Sequence, residues 1–147
     1  MYDLGLLVAY LHKKDATLFN SRMREYIYSA ILLFANCFYL ATEHLPLFGE
    51  RVYAGENGPT IPQLEYAFFV EKTYEKVVES IEIPVLDEVL DIIRDTSLVQ
   101  FLNFSHNKDS VWFATAPGKE IPINLMENFA YKHLNQESSN GTNARIS

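Results

Sequence analysis

Four side chains with the chemistry of a hydrolytic site lie close together in the chain: Ser105, His106, Asp109 and Ser110. A serine nucleophile needs a histidine base within hydrogen-bond reach and an acid that orients the histidine. Neighbouring side chains on one helix or turn point in different directions, so we expect Ser105 and His106 not to form such a pair. We favour a structural role in which His106 ends its helix, where an imidazole bonds the last free carbonyls. A small hydrolase using His106 with Asp109 or a distant acid is the alternative.

Other patterns that would carry chemistry are absent from the sequence. The four histidines are scattered and form no HxxxH or HExxH pattern, and Cys37 is the single cysteine, so we expect no metal site. The six glycines form neither GxGxxG nor GxxxxGK[ST], so we expect no nucleotide or other cofactor. In the middle of an apolar run, Cys37 is predicted to be a small buried residue and not a reactive thiolate.

Composition and charge restrict the classes of partner. The chain has 147 residues, 48% of them hydrophobic, and a formal charge of −7. This negative field opposes direct nucleic-acid binding and suits either simple solubility or a basic protein partner. The apolar stretch from Tyr26 to Ala41 is shorter than the roughly 20 residues that a membrane span requires, so we expect no membrane insertion. No basic segment precedes the first apolar run, and we therefore expect a cytoplasmic location.

Hydrophobic spacing then indicates which elements must position these side chains. It predicts helices over residues 3–14, 21–44, 62 to about 74, 84–95, 97–102, around 112 and over 122–134, with extended segments near 50–54 and 77–83. Asn20 is a predicted N-cap, and Thr60 with Gln63 and Ser97 with Gln100 have capping-box spacing. The expected fold is mainly α: a single-domain helical bundle over residues 1–135 around one long, apolar central helix. Residues 136–147 are predicted to be a disordered tail.

Three stretches stand out as motifs without evident chemistry. One runs from Arg51 to Phe68 and contains an aromatic residue, then Gly-Pro-Thr, then Pro and Tyr entering a helix. Another reads Leu-Asn-Phe-Ser-His at 102–106, with a tryptophan at 112. The third is the long predicted helix from Met23, which continues into a loop ending near Phe48. The members of the first two motifs that we single out are Tyr53, Gly58, Pro59, Pro62, Tyr66, His106 and Trp112.

In order and spacing, the three stretches resemble the Panacea domain, the SocA-like antitoxin family that also occurs in phages and prophages. The resemblance covers residues 3 to 134, nearly all of the predicted folded part. It implies a mostly helical domain that neutralises a toxin by direct contact. The chain departs from the family pattern at Thr60, where the family has valine, at Val111, where it has proline, and at Tyr53, where a tryptophan or similar aromatic is usual.

The motif residues have two interpretations. As architecture, Gly58 permits a backbone conformation closed to other residues, and Pro59 and Pro62 fix the entry to the third helix. With Trp112, which offers a large apolar body, the motifs then lock the loop and the last helices onto the central helix. As function, Tyr53, Tyr66, His106 and Trp112 line one exposed groove that contacts a toxin, because aromatic residues are favoured interface anchors. The expected function is an antitoxin-like interaction protein, and the main alternative is a phage or prophage accessory protein that binds a partner without a toxin. Self-association into a homo-oligomer is left open.

Overall fold

A computed structural model describes residues 1–139 and is mainly helical, as predicted. Its helices and strands are α1 Leu4–Lys14, α2 Ala16–Phe19, α3 Arg24–Glu43, β1 Tyr53–Gly55, β2 Gly58–Thr60, α4 Leu64–Val70, α5 Glu75–Val78, α6 Pro84–Asp95, α7 Leu98–Ser105 and α8 Ile123–Ser139. A 3-10 turn, Glu71–Tyr74, joins α4 to α5. No helix among the described residues combines the length and apolarity needed to cross a bilayer.

The long helix α3 forms the centre of the molecule. From Ile27 to Leu40 every residue except Tyr39 is buried, because other elements cover this helix on all sides. Helices α6, α7 and α8 and strand β2 pack around α3, while α1 packs against α4 and α5. The prediction of a helical bundle around a central apolar helix is therefore confirmed.

One polar side chain in α3 ties the helix to the loop that follows. The Asn36 side-chain oxygen accepts a hydrogen bond of 2.8 Å from the backbone N–H of Leu47, and its amide nitrogen lies 3.3 Å from the sulfur of Met126. A buried amide is stable in a core only when such partners satisfy it. The side-chain oxygen of Asn36 thus connects α3 to the 45–48 loop, and its side-chain nitrogen connects α3 to helix α8.

Helix α6 forms as its sequence predicts. Pro84 occupies the first turn, where its missing N–H is harmless, and the apolar residues of this amphipathic helix face the core. The Tyr10 hydroxyl joins α1 to the start of α6: it donates to Asp87 at 2.8 Å and accepts from the N–H of Ile83 at 3.1 Å. Burial raises the pKa of Tyr10 well above its ordinary value, and the neighbouring carboxylates act in the same direction.

Several local predictions were wrong, because other contacts replaced the expected ones. Thr60 does not cap a helix, since it pairs with Tyr53 in the hairpin of β1 and β2. Asn20 ends α2 instead of starting α3. Segment 77–83 contains no strand, because Val77 belongs to α5 and the carbonyl of Val77 accepts hydrogen bonds from the backbone and side chain of Ser80 in a turn.

The C-terminal part also differs from the prediction. Residues 110–115 form turns and not a helix, because the Ser110 hydroxyl bonds the carbonyl of Asn107 and accepts from the N–H of Phe113. Helix α8 continues to Ser139, so residues 136–139, predicted to be tail, are helical. The rest of the predicted tail, 140–147, lies outside the described residues.

Candidate functional site

The end of α7 determines the position of His106. The imidazole leaves the helix and folds back over its last turn, where Nδ1 donates a 2.7 Å hydrogen bond to the carbonyl of Leu102. This is the helix-ending role predicted for His106. The prediction that Ser105 and His106 point apart was wrong, since the Ser105 hydroxyl lies 2.8 Å from Nδ1. That hydroxyl also donates to the carbonyl of Leu102, at 2.9 Å.

These bonds decide what His106 can do chemically. Because Nδ1 gives its proton to a carbonyl, it has no lone pair with which to take the proton of Ser105. The other nitrogen, Nε2, is buried and has no hydrogen-bond partner among the described residues. Asp109 is exposed, and its backbone N–H bonds the side chain of Asn107. In this arrangement neither imidazole nitrogen is open to a substrate.

The imidazole ring is held between three neighbours. One is Tyr26 of α3, whose ring stacks on it with a centroid distance of 4.8 Å and an angle of 20°. Trp112 packs on it at 5.3 Å. The third is the backbone of Gly58, where an added Cβ would lie 2.3 Å from Nε2 of His106. Gly58 also has φ of +147°, which side chains of L-residues rarely adopt. Both the conformation and the close approach therefore require glycine at 58.

Trp112 attaches the 106–115 loop to the hairpin of β1 and β2. Its indole N–H donates a 2.7 Å bond to the carbonyl of Gly55, a residue 57 positions earlier. The hairpin is bound on its other edge by the following segment, since Ala54 exchanges backbone hydrogen bonds with Gly118 and Lys119. The contacts of Gly58, His106 and Trp112 are thus those of the architectural interpretation, and these three residues form one cluster.

The surface above this cluster contains three neighbouring depressions. The first is lined by Trp112, Phe113 and Glu56 with the 115–118 turn, and the second by Glu56, Gly58, Pro59, Glu25 and Tyr26. The third depression is lined by Arg24, Pro62, Tyr66, Phe68 and Phe69. It adjoins the second depression, because Ile61 lines the second and the next residue, Pro62, lines the third. We call these three depressions together the aromatic face.

The predicted groove of four aromatic residues is therefore only partly present. Trp112 and Tyr66 lie at the two ends of the aromatic face, while His106 packs beneath it. Tyr53 lines a separate depression beside the N-terminus, with Asp3, Glu50 and Arg51.

Two exposed aromatic residues of this face were missed by sequence reasoning. Phe69 is 84% exposed and Phe113 is 59% exposed, although large apolar side chains are usually buried. Phe69 had a usable signal: Leu64 and Phe68 share the inner side of α4, so the next residue, about 100° further round, faces outward. Phe113 had none, because its exposure depends both on the turns at 110–115 and on the long-range bond between Trp112 and Gly55 that holds them against the hairpin.

Arg24 is the cation of the aromatic face and is held by aromatic rings. Its guanidinium carbon lies 4.3 Å from the ring centroid of Phe68 and 4.8 Å from that of Phe19. Such stacking fixes the arginine and leaves its N–H groups free to bond an acceptor. Beside it, Tyr66 is 69% exposed. This end of the face thus presents two exposed rings and one ordered cation.

In the part of the chain that the structure describes, no three His, Cys, Asp or Glu side chains lie close enough together to hold a metal ion. Burial raises the pKa of the Cys37 thiol strongly, as expected for a core cysteine.

No protein-family model matches the chain, and neither a curated protein nor a solved structure is significantly similar to it. The resemblance to the Panacea domain therefore stays a prediction from the motifs.

Proposed function

We propose that this protein acts by binding another protein through the aromatic face. The observation that carries the proposal is the exposure of Phe69 and Tyr66 on one short helix, at 84% and 69%. Single exposed apolar residues are ordinary, but adjacent aromatic rings beside an ordered arginine match the composition of interface centres. Tyrosine and arginine are also enriched among residues that dominate binding energies.

The proposed partner is a toxin, and the protein is its antitoxin. This part of the proposal rests on the resemblance to the Panacea domain, whose motifs supply Pro59 and Tyr66 to the aromatic face and Trp112 to its far end. Neutralisation needs only a stoichiometric complex, and exposed aromatic side chains are suited to anchor such a complex. We place this activity in the cytoplasm, and the proposal involves neither nucleic acid nor membrane.

Affinity capture from the source cell tests the binding surface. The wild-type chain is compared with the double variant Tyr66→Ser/Phe69→Ser and with the control Val99→Ser. Val99 is 67% exposed on α7, so its substitution removes an exposed apolar side chain outside the aromatic face. Loss of two anchor side chains is expected to weaken capture of a partner by at least about 30-fold, which corresponds to roughly 2 kcal/mol. Equal capture by the double variant and the control would refute the surface.

Expression of the captured partner tests whether it is a toxin and whether the chain neutralises it. The partner alone should arrest growth, co-expression with the wild-type chain should restore it, and co-expression with Tyr66→Ser/Phe69→Ser should not. A partner that is harmless when expressed alone would contradict the antitoxin function and would favour the accessory-protein alternative. Circular dichroism of each variant confirms that the fold is retained, as expected because both side chains are exposed.

A further inference from the structure

The first depression of the aromatic face has the geometry of a cation-binding cage. Trp112 and Phe113 form two of its walls, with ring centroids 6.5 Å apart and ring planes inclined by 67°. The face of an aromatic ring carries negative electrostatic potential, so rings that line a depression attract a cation that enters it. The depression has a volume of about 510 Å³, within the range of small-ligand clefts.

Glu56 provides the opposite charge at this depression. Among the described residues that line it, Glu56 is the only charged one. Its carboxylate forms no ion pair with any described residue, although other acidic side chains, such as Asp91 and Glu120, do. A cation entering the cage would therefore meet a carboxylate whose acceptor positions are not used by the chain's own lysines and arginines.

The cage is formed before any ligand arrives. The Trp112 indole is fixed by its hydrogen bond to Gly55 and by its contact with His106, which is itself bonded to Leu102. A fixed wall loses little side-chain entropy on binding, and this preorganisation favours affinity. The three residues that line the cage come from two loops held together by this same hydrogen bond.

We propose that the cage of Trp112, Phe113 and Glu56 binds the guanidinium group of an arginine side chain of the partner protein. A guanidinium is planar, stacks on an indole and presents paired N–H donors to a carboxylate, whereas an ammonium is a compact, strongly hydrated charge. Stacking of a guanidinium on an aromatic ring already occurs within the chain, where the guanidinium carbon of Arg24 lies 4.3 Å from the ring centroid of Phe68. The net charge of −7 further attracts a basic partner.

This inference rests on the proposed function only in naming a partner protein as the source of the arginine. The cage is separated from Tyr66 and Phe69 by the second depression, so the two ends of the aromatic face can be tested independently. Failure of the double variant to lose a partner would refute the binding surface proposed above, whereas the cage is tested with a small probe and no partner.

Because Trp112 is the only tryptophan, its indole N–H resonance and its fluorescence report directly on the cage. The full chain is titrated with Nα-acetyl-arginine amide, with the lysine analogue, and with the neutral citrulline analogue, which has nearly the same shape. We expect a saturable shift of the indole resonance in the millimolar range for arginine, with affinity several-fold higher than for lysine. Citrulline should cause little shift, because it lacks the charge that both rings and Glu56 recognise.

Matched variants assign the effect to the cage residues. Glu56→Gln removes the charge and keeps the shape, and Phe113→Leu keeps the apolar volume and removes one ring. Each should lower the affinity for the arginine probe by about three- to ten-fold. Glu79→Gln, a control exposed elsewhere on the surface, should leave it unchanged. Equal shifts with citrulline, equal affinity for lysine, or an unchanged affinity in both Glu56→Gln and Phe113→Leu would overturn the assignment.

Discussion

The close approach of Gly58 to His106 allows a quantitative prediction of stability. In Gly58→Ala the new Cβ would lie 2.3 Å from Nε2 and 2.9 Å from Cδ2 of the imidazole, well inside contact distance. The ring cannot retreat easily, because Tyr26 stacks on it and Leu102 holds its Nδ1. Alanine at φ of +147° costs about 1–3 kcal/mol in backbone strain, and forced repacking costs about 1–3 kcal/mol more.

We therefore expect Gly58→Ala to lower the free energy of unfolding by about 2–6 kcal/mol, a large part of the roughly 5–15 kcal/mol typical of a domain. Urea denaturation followed by tryptophan fluorescence and circular dichroism measures this loss. The matched control is Gly118→Ala. Gly118 also has a positive φ, +79°, but no atom of the described residues lies within 4 Å of an added Cβ, so only strain of about 1–2 kcal/mol applies.

The contribution of the contact is separated by a double-mutant cycle with His106→Ala. Removing the imidazole abolishes the overlap but not the backbone strain, so Gly58→Ala should cost about 1–3 kcal/mol less in that background. A loss below about 0.5 kcal/mol in Gly58→Ala, or equal losses in the presence and absence of His106, would refute the reasoning.

Further predictions concern buried groups and one helix cap. Cys37 should resist a thiol reagent at pH 8 until the chain is unfolded in urea, because burial raises its pKa and excludes the reagent; rapid native-state labelling would contradict this. The free energy of unfolding should fall above about pH 10 in urea titrations. Burial raises the folded-state pKa of Tyr10 and Tyr28 above the ordinary value of 10.0. Above that pH each of the two ionises in the unfolded state but not in the folded state, so each lowers the free energy of unfolding by up to about 1.4 kcal/mol per pH unit. A constant free energy of unfolding from pH 9 to 11 would argue against this account. Ser97→Ala should cost about 1 kcal/mol by removing the hydroxyl that accepts from the N–H of Gln100, with Ser97→Asp as the tolerated control. Asn36→Leu should cost more, about 1–3 kcal/mol, because the buried N–H of Leu47 loses its partner; a stabilised Asn36→Leu variant in urea denaturation would contradict that account.

The elements that the sequence predicts well are those determined by local signals. Helix α6 begins at Pro84, its apolar spacing places Val89 and Leu90 inward, and Ser97 caps the next helix with the predicted bond. In each case the decisive contacts lie within a few residues along the chain, so spacing alone determines them. The same reasoning found the long central helix, because a helix that is apolar on all sides belongs in the core.

What the sequence does not reveal depends on contacts between distant segments. Thr60 has capping-box spacing, yet pairing with Tyr53 outweighs it. The position of Trp112 follows from a hydrogen bond that spans 57 residues, and no local pattern encodes that bond. The motif residues were recognised by type, but only the folded chain shows that Tyr53 lines a different depression from Tyr66 and Trp112.

The position of α8 has a consequence for how the chain is made. Helix α3 is buried largely because α8, near the end of the chain, packs along it through Met126 and Ala130. At roughly 5–20 residues per second, several seconds of translation separate the emergence of α3 from that of α8. During that interval this long, buried helix lacks part of its cover, and a chain interrupted before α8 keeps it uncovered. Chaperones and proteases recognise uncovered apolar segments, so we expect the amount of folded protein to depend on uninterrupted translation through α8.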